Sequence, residues 1–303
     1  MGSTRVGYLG PEGSFSHEAV TTLVDVEPVA LDAIPDLLAA VAEGRLERAL
    51  VPLENAIEGT VSATIDGLVF DHDLVIENEL VLPIGLQLLA RPGVALGDVT
   101  TVLSYVHALA QCRGYLNRLG VATRQTTSTS QAAALVAESS EPWAAVGSAL
   151  AGRLFGLAAI ATDVADHPEN ATRFVLVGRD EVAAPTGHDR TTIVCFQDAD
   201  RPGSLYAILG RFAARDVNLT KLESRPTKRG LGEYCFVIEF EGHVADDLVA
   251  DCLADLQAHL ANVKFLGSYP VTGEEAAEVR AEVVAARTSA AAWIDGVRSR
   301  IRD

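Results

Sequence analysis

Short apolar runs alternate with helical patterns along roughly the first 180 residues, and this alternation constrains the fold more than any other feature. The predicted strands cover residues 5–9, 26–31, 48–53, 101–103, 121–124, 143–146 and 173–177. The predicted helices cover residues 16–24, 33–43, 61–70, 107–119, 129–137 and 148–154. Strands that alternate with helices predict an α/β fold with a largely parallel sheet covered on both faces. Because ligands in such folds bind beyond the carboxyl ends of the strands, the loops there are the first candidates for a site.

A different pattern follows a turn-rich break at residues 183–188. Strand, helix, strand, strand, helix and strand are predicted over residues 191–196, 203–214, 217–223, 233–240, 246–259 and 263–269. In the fourth of these segments Tyr234, Phe236, Ile238 and Phe240 share one face at period two, as in a sheet covered on one side. This βαββαβ order predicts a second, ferredoxin-like domain.

The last segment, residues 274–303, is predicted to form one helix with an apolar stripe on a single face. The stripe consists of Val279, Val283, Ala286, Ala290, Trp293, Val297 and Ile301. Packing on its own chain and contact with another subunit are equally open interpretations of this stripe.

The charge balance excludes several classes of partner. Among 303 residues there are 41 Asp+Glu and 24 Lys+Arg, which gives a net charge of −17, and the basic residues are scattered. Nucleic acid and anionic membrane surfaces are therefore poor partners. The same charge disfavours an anionic small molecule, so a site for such a molecule must be built from local donors.

No feature of the sequence predicts a membrane segment, a metal site or a cofactor. The N-terminus lacks the apolar core of a signal peptide, and the longest apolar stretch, residues 80–90, is too short to span a bilayer. The four cysteines show no CxxC spacing, and the seven histidines form neither HxH nor HExxH. The loop at residues 10–17 is neither GxGxxG nor a Walker A loop. A cytoplasmic protein with reduced cysteines is the simplest interpretation.

Polar residues follow several predicted strands. Gly13 and Ser14 lie after the first strand, where a glycine lets backbone approach a ligand and a serine can bind an anion or cap the helix. Glu54 and Asn55 follow the third strand and could bind hydroxyl and carbonyl groups. Other candidates at strand ends are Ser104, Gln111, Ser128 and Thr129. Taken singly, each is a weak signal, and an ordinary turn or helix cap is the better explanation for the first two loops.

The sharpest candidate is the segment that enters the last strand of the large domain. Arg173 offers a forked donor for a carboxylate, with the Thr172 hydroxyl beside that charge and Phe174 as an apolar wall. An arginine at the surface of a strand edge is the alternative interpretation.

Two segments of the second domain suggest a small-molecule pocket, although plain turns would also explain them. At the start of its first helix lie Gly203, Ser204 and Leu205. At the end of its second strand lie Glu223, Ser224, Arg225 and Pro226.

Together these motifs resemble those of the monofunctional bacterial prephenate dehydratases, with an ACT domain at the second position. In the large domain the resemblance rests on Gly10-Pro11-Glu12-Gly13-Ser14-Phe15-Ser16, Pro52-Leu53-Glu54-Asn55, Ala108-Leu109-Ala110-Gln111-Cys112 and Thr172-Arg173-Phe174. In the small domain it rests on Gly203-Ser204-Leu205 and Glu223-Ser224-Arg225-Pro226. It covers residues 4 to about 270 in order. The family's usual Thr, Glu and Ser are replaced by Ser14, His17 and Ala56, and its Ser-His-Pro-Gln stretch is Ser104-Tyr105-Val106-His107.

The resemblance implies a two-lobed catalytic domain, like that of periplasmic binding proteins, over residues 1–182. A ferredoxin-like ACT domain over 189–270 and a helical tail over 271–303 would follow. It implies a carbon–oxygen lyase without a cofactor that converts prephenate to phenylpyruvate, CO2 and water in L-phenylalanine biosynthesis.

The resemblance also implies roles for the site residues. Thr172 would donate to the leaving hydroxyl, Arg173 and the Gly13-Ser14 loop would hold carboxylates, and Phe174 would lie against the ring. The residues that would complete the site are Glu54, Asn55, Ser104, Gln111, Ser128 and Thr129.

For the ACT domain the resemblance implies feedback inhibition by L-phenylalanine, bound at an interface between two such domains. The assembly would be a homodimer or homotetramer. Two alternatives stay open: the same chemistry on arogenate, and a non-catalytic regulator that binds an amino acid.

Overall fold

The computed structural model describes residues 3–197, 201–228, 230, 232–272, 285, 289–290 and 292–300. The described part forms two compact units. The first lies within Met1–Gly67 and Leu80–Val177, and the second within Leu68–Glu79 and Gly178–Asp303.

The strands and helices are numbered in chain order. The strands of the described part are β1 Thr4–Leu9, β2 Val26–Leu31, β3 Arg48–Asn55, β4 Gly59–Thr60, β5 Val75–Pro83, β6 Gln87–Ala90, β7 Thr101–Tyr105, β8 Ala122–Thr126, β9 Trp143–Gly147, β10 Ala158–Ala161, β11 Ala171–Gly178, β12 Asp189–Phe196, β13 Leu219–Pro226, β14 Tyr234–Glu241 and β15 Asn262–Pro270. The α-helices are α1 Phe15–Val20, α2 Ile34–Ala42, α3 Ser62–Asp66, α4 Val106–Gln111, α5 Arg113–Leu119, α6 Thr129–Glu138, α7 Ala149–Leu154, α8 Ser204–Ala213 and α9 Asp247–His259.

The first sheet has the strand order β2-β1-β3-β11-β5, and β4 pairs with β3. Strand β1 runs parallel to β2 and to β3, as the alternation of strands and helices predicts. Strand β11, however, is antiparallel to β3, so the prediction of a largely parallel sheet is wrong here. The reason is that β11 enters from the second sheet rather than through the helical crossover that parallel neighbours require.

The second sheet has the order β10-β6-β9-β7-β8 and is also mixed. Strand β7 is parallel to β8 and β9, whereas β6 is antiparallel to both β9 and β10. The sequence did not predict β5, β6 or β10. Acidic residues interrupt the apolar pattern of β5, and the four residues of β6 and of β10 are too few to show a period. Two α/β sheets in one unit confirm the two-lobed fold.

The second unit contains one antiparallel sheet with the order β13-β14-β12-β15. Helices α8 and α9 pack on one side of it around a core that includes Ile193, Phe212 and Phe240. The element order and this strand order confirm the ferredoxin-like βαββαβ prediction.

The second unit also includes residues 68–79, which lie in the large domain by sequence. Arg190 Nη1 donates to Glu79 Oε2 at 2.6 Å, and Lys264 Nζ donates to the His72 carbonyl at 2.7 Å. Gly267 has a φ of 139°, and a Cβ at this position would collide with the backbone of Ile76. The absence of a side chain at residue 267 therefore lets this segment approach β15 closely.

The predicted tail helix, residues 274–303, falls largely outside the described residues. Within it, residues 292–298 are helical.

Candidate active site

Two neighbouring strands of the first sheet bring the sharpest candidates together. Thr172 on β11 lies opposite Asn55 at the end of β3, and Arg173 lies opposite Glu54. Arg173 Nη2 is 3.0 Å from Glu54 Oε2, and the two side chains are 12% and 36% exposed. The antiparallel return of β11 thus places an amide next to a hydroxyl and a carboxylate next to a guanidinium.

Asn55 is the centre of this arrangement. Its Nδ2 donates to Thr172 Oγ1 and Asn170 Oδ1, both at 3.0 Å, and its Oδ1 accepts from the backbone N–H groups of Ile57 and Glu58. A hydroxyl has one proton to donate and two lone pairs. Since Thr172 accepts from Asn55, its own proton is directed toward another acceptor. Thr172 as a whole is 9% exposed.

The second lobe contributes Gln111, the last residue of α4. Its Oε1 accepts from Asn170 Nδ2 at 3.1 Å, and its Nε2 donates to Glu58 Oε1 at 3.2 Å. Asn170 is 3% exposed, so these bonds satisfy a buried amide. Asn55 and Gln111 are thus connected through an intermediate residue, Asn170.

The helix that carries Gln111 is shorter than predicted. The sequence predicts one helix over 107–119, but the helical backbone breaks at Cys112, whose φ is −110° and ψ is 12°. This break lets the Gln111 carbonyl accept from the Asp166 N–H at 2.7 Å. Burial, and to a lesser extent Asp166, raises the pKa of the Cys112 thiol to about 12, so it is no nucleophile at neutral pH.

His107 completes the polar cluster. Its Nδ1 lies 2.7 Å from Glu58 Oε1, and its ring stacks on Tyr105 with centroids 5.1 Å apart. We call the connected side chains the Thr172 network, and its members are Thr172, Asn55, Asn170, Gln111, Glu58 and His107. The sequence did not single out Asn170, Glu58 or His107 as site residues. Glu58 and Asn170 lie in loops at strand ends, which is the only sequence signal that they carry. Side-chain geometry shows that they connect the other members of the network.

The loop at Gly13 joins the two lobes at a second place. Gly13 has a φ of 81°, its carbonyl accepts from Ser148 Oγ at 3.0 Å, and Ser130 Oγ donates to the Glu12 carbonyl. Ser14 Oγ caps α1 by accepting from the His17 N–H and donates to the Leu9 carbonyl. In this structure Ser14 therefore shapes the loop, and its predicted contact with a substrate carboxylate stays a prediction.

Four other predicted residues occupy structural positions. Ser104 is fully buried and donates to the Val146 carbonyl at 2.7 Å, while Ser128 caps α6 by accepting from the Gln131 N–H. Thr129 begins that helix. Phe174 is 1% exposed and belongs to the core of the first lobe. Roles of these four residues in binding substrate stay predictions.

The second unit places its predicted ligand residues on two separate elements. Gly203 has a φ of 86° and precedes α8, and Ser204 Oγ donates to Gln197 Oε1 at 3.1 Å. Leu205, half-buried, follows in the first turn. Ser204 also lines a cavity of about 190 Å³ beside Arg201 and Arg211.

The other ligand residues lie at the end of β13. Glu223 and Arg225 form an ion pair of 3.2 Å, whereas Ser224 and Pro226 are exposed. In the strand order, β14 stands between β13 and β12, the strand that leads to Gly203. The two ligand segments therefore belong to elements that are not sheet neighbours within one chain.

Comparison with known proteins identifies the family of the chain. Residues 6–182 match the family described as prephenate dehydratase, and residues 191–258 match the ACT domain. The chain belongs to the prephenate dehydratase family. The prediction of an enzyme of the carbon–oxygen lyase class is confirmed by this membership.

The relatives cover nearly the whole chain. A prephenate dehydratase of Amycolatopsis methanolica is 41% identical over 304 residues, which span 97% of this chain and 98% of that protein. A crystal structure of prephenate dehydratase from Arthrobacter aurescens in complex with L-Phe is 35% identical, with a TM-score of 0.82, and covers 98% of this chain and 100% of that chain. A solved protein described as a novel type of quorum quenching acylase is 30% identical with a TM-score of 0.81, covering 88% of this chain and 98% of that chain.

The described part of the chain offers neither a membrane-spanning helix nor a cluster of metal ligands. None of the helices there is long and apolar enough to cross a membrane. Histidine, cysteine and acidic side chains there form no group of three or more that could hold a metal ion.

Proposed function

We propose that the chain catalyses the decarboxylating dehydration of prephenate to phenylpyruvate in L-phenylalanine biosynthesis. The observation that carries this proposal is the bond from Asn55 Nδ2 to Thr172 Oγ1 at the polar end of β3 and β11. The fold alone does not choose the reaction, because a relative of similar fold is described as an acylase. The choice rests on the family and on the residues of the Thr172 network.

The reaction needs few covalent steps from the protein. As the bond to the ring carboxylate breaks, its electron pair enters the ring, CO2 leaves, and the hydroxyl on the opposite carbon departs. With one proton the departing hydroxide becomes water, and the ring becomes aromatic. The enzyme must therefore orient a dianion and assist one oxygen as it leaves.

Thr172 suits the second task. Its hydroxyl accepts from Asn55 and so presents its proton outward, where it can donate to the departing oxygen. A threonine hydroxyl is a weak acid, so a proton from elsewhere must restore it, with Arg173 lowering the cost of negative charge beside it. General acid assistance of this kind contributes roughly 100- to 10,000-fold.

Carboxylate binding falls to local donors, because the chain as a whole carries a charge of −17. Arg173 is the candidate nearest to Thr172 in sequence, and Glu54 fixes its guanidinium through one ion pair. The guanidinium has five N–H donors, so a substrate carboxylate can share it with Glu54. The loop at Gly13 and Ser14, where Gly13 has a positive φ and its carbonyl accepts from Ser148 Oγ, is the second candidate.

We also propose that L-phenylalanine inhibits the enzyme through the ACT domain. The relative from Arthrobacter aurescens was solved with L-Phe, and both ligand motifs stand in the second unit. Because Gly203 and Glu223 lie on elements separated by β14, a ligand that contacts both segments fits best between two copies. A homodimer or homotetramer follows from this proposal.

The test compares two substrates with purified protein. We expect kcat/KM for prephenate to exceed that for arogenate by roughly tenfold or more, because arogenate carries an additional ammonium that a carboxylate-binding arginine repels. A preference for arogenate would show that arogenate is the substrate, whereas the reaction would still be a decarboxylating dehydration. Turnover of neither, together with L-phenylalanine binding, would favour the regulator that binds an amino acid.

A further inference from the structure

One residue of the Thr172 network has no task in the proposed reaction. His107 lies on α4, in the second lobe, and reaches Glu58 in the loop after β3 of the first lobe. Gln111, one turn further along α4, donates to the same Oε1 atom of Glu58. The carboxylate is therefore held from one helix by two donors four residues apart.

A carboxylate only accepts hydrogen bonds, and this fixes the direction of the bonds that follow. Since Glu58 cannot donate, Gln111 must turn its NH2 group toward Glu58 and its oxygen toward Asn170. If the oxygen and nitrogen of the Gln111 amide were exchanged, its oxygen would face the Glu58 carboxylate, and two acceptors would lie together without a proton between them.

The same direction continues to the reactive hydroxyl. Asn170 gives its NH2 group to Gln111 and so presents its Oδ1 to Asn55. Asn55 in turn points its NH2 group at Thr172, which makes that hydroxyl an acceptor toward Asn55. The direction of the Thr172 proton is therefore set from both ends of this series, by the Glu58 carboxylate at Gln111 and by the backbone N–H groups of Ile57 and Glu58 that donate to Asn55 Oδ1.

We propose that His107 is a positioning residue, whose ring N–H holds Glu58 in the orientation that sets the amides and the Thr172 hydroxyl. This inference rests on the proposed function. The donor is Nδ1–H, which both the neutral tautomer that donates to Glu58 and the imidazolium carry. The Tyr105 ring stacks on the face of the His107 ring and limits its rotation.

The contact contributes little to stability. The His107 and Glu58 side chains are 49% and 38% exposed, and pairs this exposed contribute weakly to folding. An effect on turnover that leaves the melting temperature unchanged would therefore report on positioning.

The experiment compares His107→Ala with His107→Gln in a prephenate assay. We expect the alanine variant to lower kcat roughly three- to tenfold with KM within about twofold, because the Thr172 proton acts only as the hydroxyl leaves. A glutamine NH2 can donate to Glu58, so the glutamine variant should restore at least half of the wild-type kcat, a shortfall of about twofold at most.

The matched control is Arg45→Ala. Arg45 and Glu43 form an ion pair of 2.7 Å in the same unit, with 57% and 60% exposure, and neither belongs to the Thr172 network. This variant should keep the wild-type kcat.

A double-variant cycle tests the route through Glu58. Glu58→Gln introduces an amide that can take either orientation, so we expect a loss similar to that of His107→Ala. The double variant should be no slower than the slower single variant. Should His107→Ala lower the melting temperature, His107→Leu, which retains apolar contact with Tyr105, replaces it.

Three outcomes would overturn the inference while wild-type turnover remains. They are a wild-type kcat in His107→Ala, a loss that glutamine does not restore, and additive losses in the double variant. Absence of wild-type turnover on prephenate would instead contradict the proposed function, so the two failures are distinguishable.

Discussion

The candidate sites of the two units are built in different ways. In the first unit, Thr172, Asn55 and Asn170 are joined directly by side-chain hydrogen bonds within one chain. In the second unit, Gly203 and Glu223 lie on elements that are not sheet neighbours. The first site is thus organised within one chain, whereas the two segments of the second site lie on separate elements, and we propose that a ligand bound between two copies brings them together. Fixed geometry favours catalysis by a reactive group. A regulatory site responds to its ligand when binding of the ligand completes the arrangement.

The largest effect should come from removing the reactive hydroxyl. We expect Thr172→Ala to lower kcat by roughly 100-fold or more, since the leaving oxygen loses its donor. Thr172→Ser keeps a hydroxyl and should stay within about tenfold of wild type. Steady-state kinetics with prephenate checks both variants, and calorimetric binding of L-phenylalanine should be the same in each. Near-wild-type kcat in a folded Thr172→Ala protein would show that the Thr172 hydroxyl is not the donor to the leaving oxygen.

Removing the central amide should reduce both turnover and stability. Asn55→Ala leaves Asn170 Oδ1, in a side chain that is 3% exposed, without the Asn55 donor. An unsatisfied buried acceptor costs about 1–3 kcal/mol, so urea unfolding should show a loss of that size together with a lower kcat.

The control for this variant is Asn117→Ala on the exposed side of α5, which should change neither quantity. Unchanged stability in Asn55→Ala would show that the amide bonds are not formed in solution.

The second site should respond to a change that leaves the first untouched. Glu223 pairs with Arg225 at 3.2 Å and lies 3.8 Å from Lys221, so its carboxylate is positioned at the end of β13. We expect Glu223→Ala to raise the half-inhibitory L-phenylalanine concentration roughly tenfold, because the ammonium of the ligand loses a partner. The uninhibited kcat should remain within about twofold.

Glu241→Ala, at the end of the neighbouring strand β14, is the matched control for this change. A large fall in the uninhibited kcat of Glu223→Ala would show that the two sites are not separate.

Both units should behave alike in one respect, the protection of their cysteines. Burial raises the pKa of Cys112 and of Cys195 from 9.0 to about 12, and Cys235 and Cys252 are buried as well. A thiol reagent at about pH 8 should therefore label none of the four until the protein unfolds. Rapid labelling of one cysteine in the native protein would show local opening of that unit.

The same shift predicts that the stability of the protein depends on pH. Because the folded pKa of Cys112 lies above its ordinary value of 9.0, the unfolded chain ionises first as the pH rises. The free energy of unfolding should fall from about pH 9 toward about pH 12, by up to ~1.4 kcal/mol per unit and thiol. In Cys112→Ala the free energy of unfolding should fall less steeply with pH, because one of the shifted thiols is absent.

Much of the fold followed from periodicity alone. The order of β12, α8, β13, β14, α9 and β15 is visible in the sequence, because each element carries its own apolar pattern. Strands β6 and β10 were not predicted, because each has only four residues. The antiparallel direction of β11 was not predicted, because strand direction is not a local property of the sequence.

The site was predictable in its types of residue but not in its connections. Thr172, Asn55 and Gln111 stand out as polar residues at strand and helix ends, and the family resemblance singles them out. Asn170 and His107 gain their importance only through partners that lie 59 and 49 residues away in the chain, which no local pattern reveals. Phe174 illustrates the reverse case, since the resemblance places it at the site whereas its side chain lies in the core of the first lobe.

The measurement that tests the central claim most directly is phenylpyruvate formation from prephenate by the wild-type protein, with and without L-phenylalanine. The account predicts turnover that L-phenylalanine suppresses, because the first unit carries the reaction and the second carries the regulatory site. A folded protein that forms no phenylpyruvate would contradict the proposed reaction, and turnover indifferent to L-phenylalanine would contradict the division of tasks between the two units.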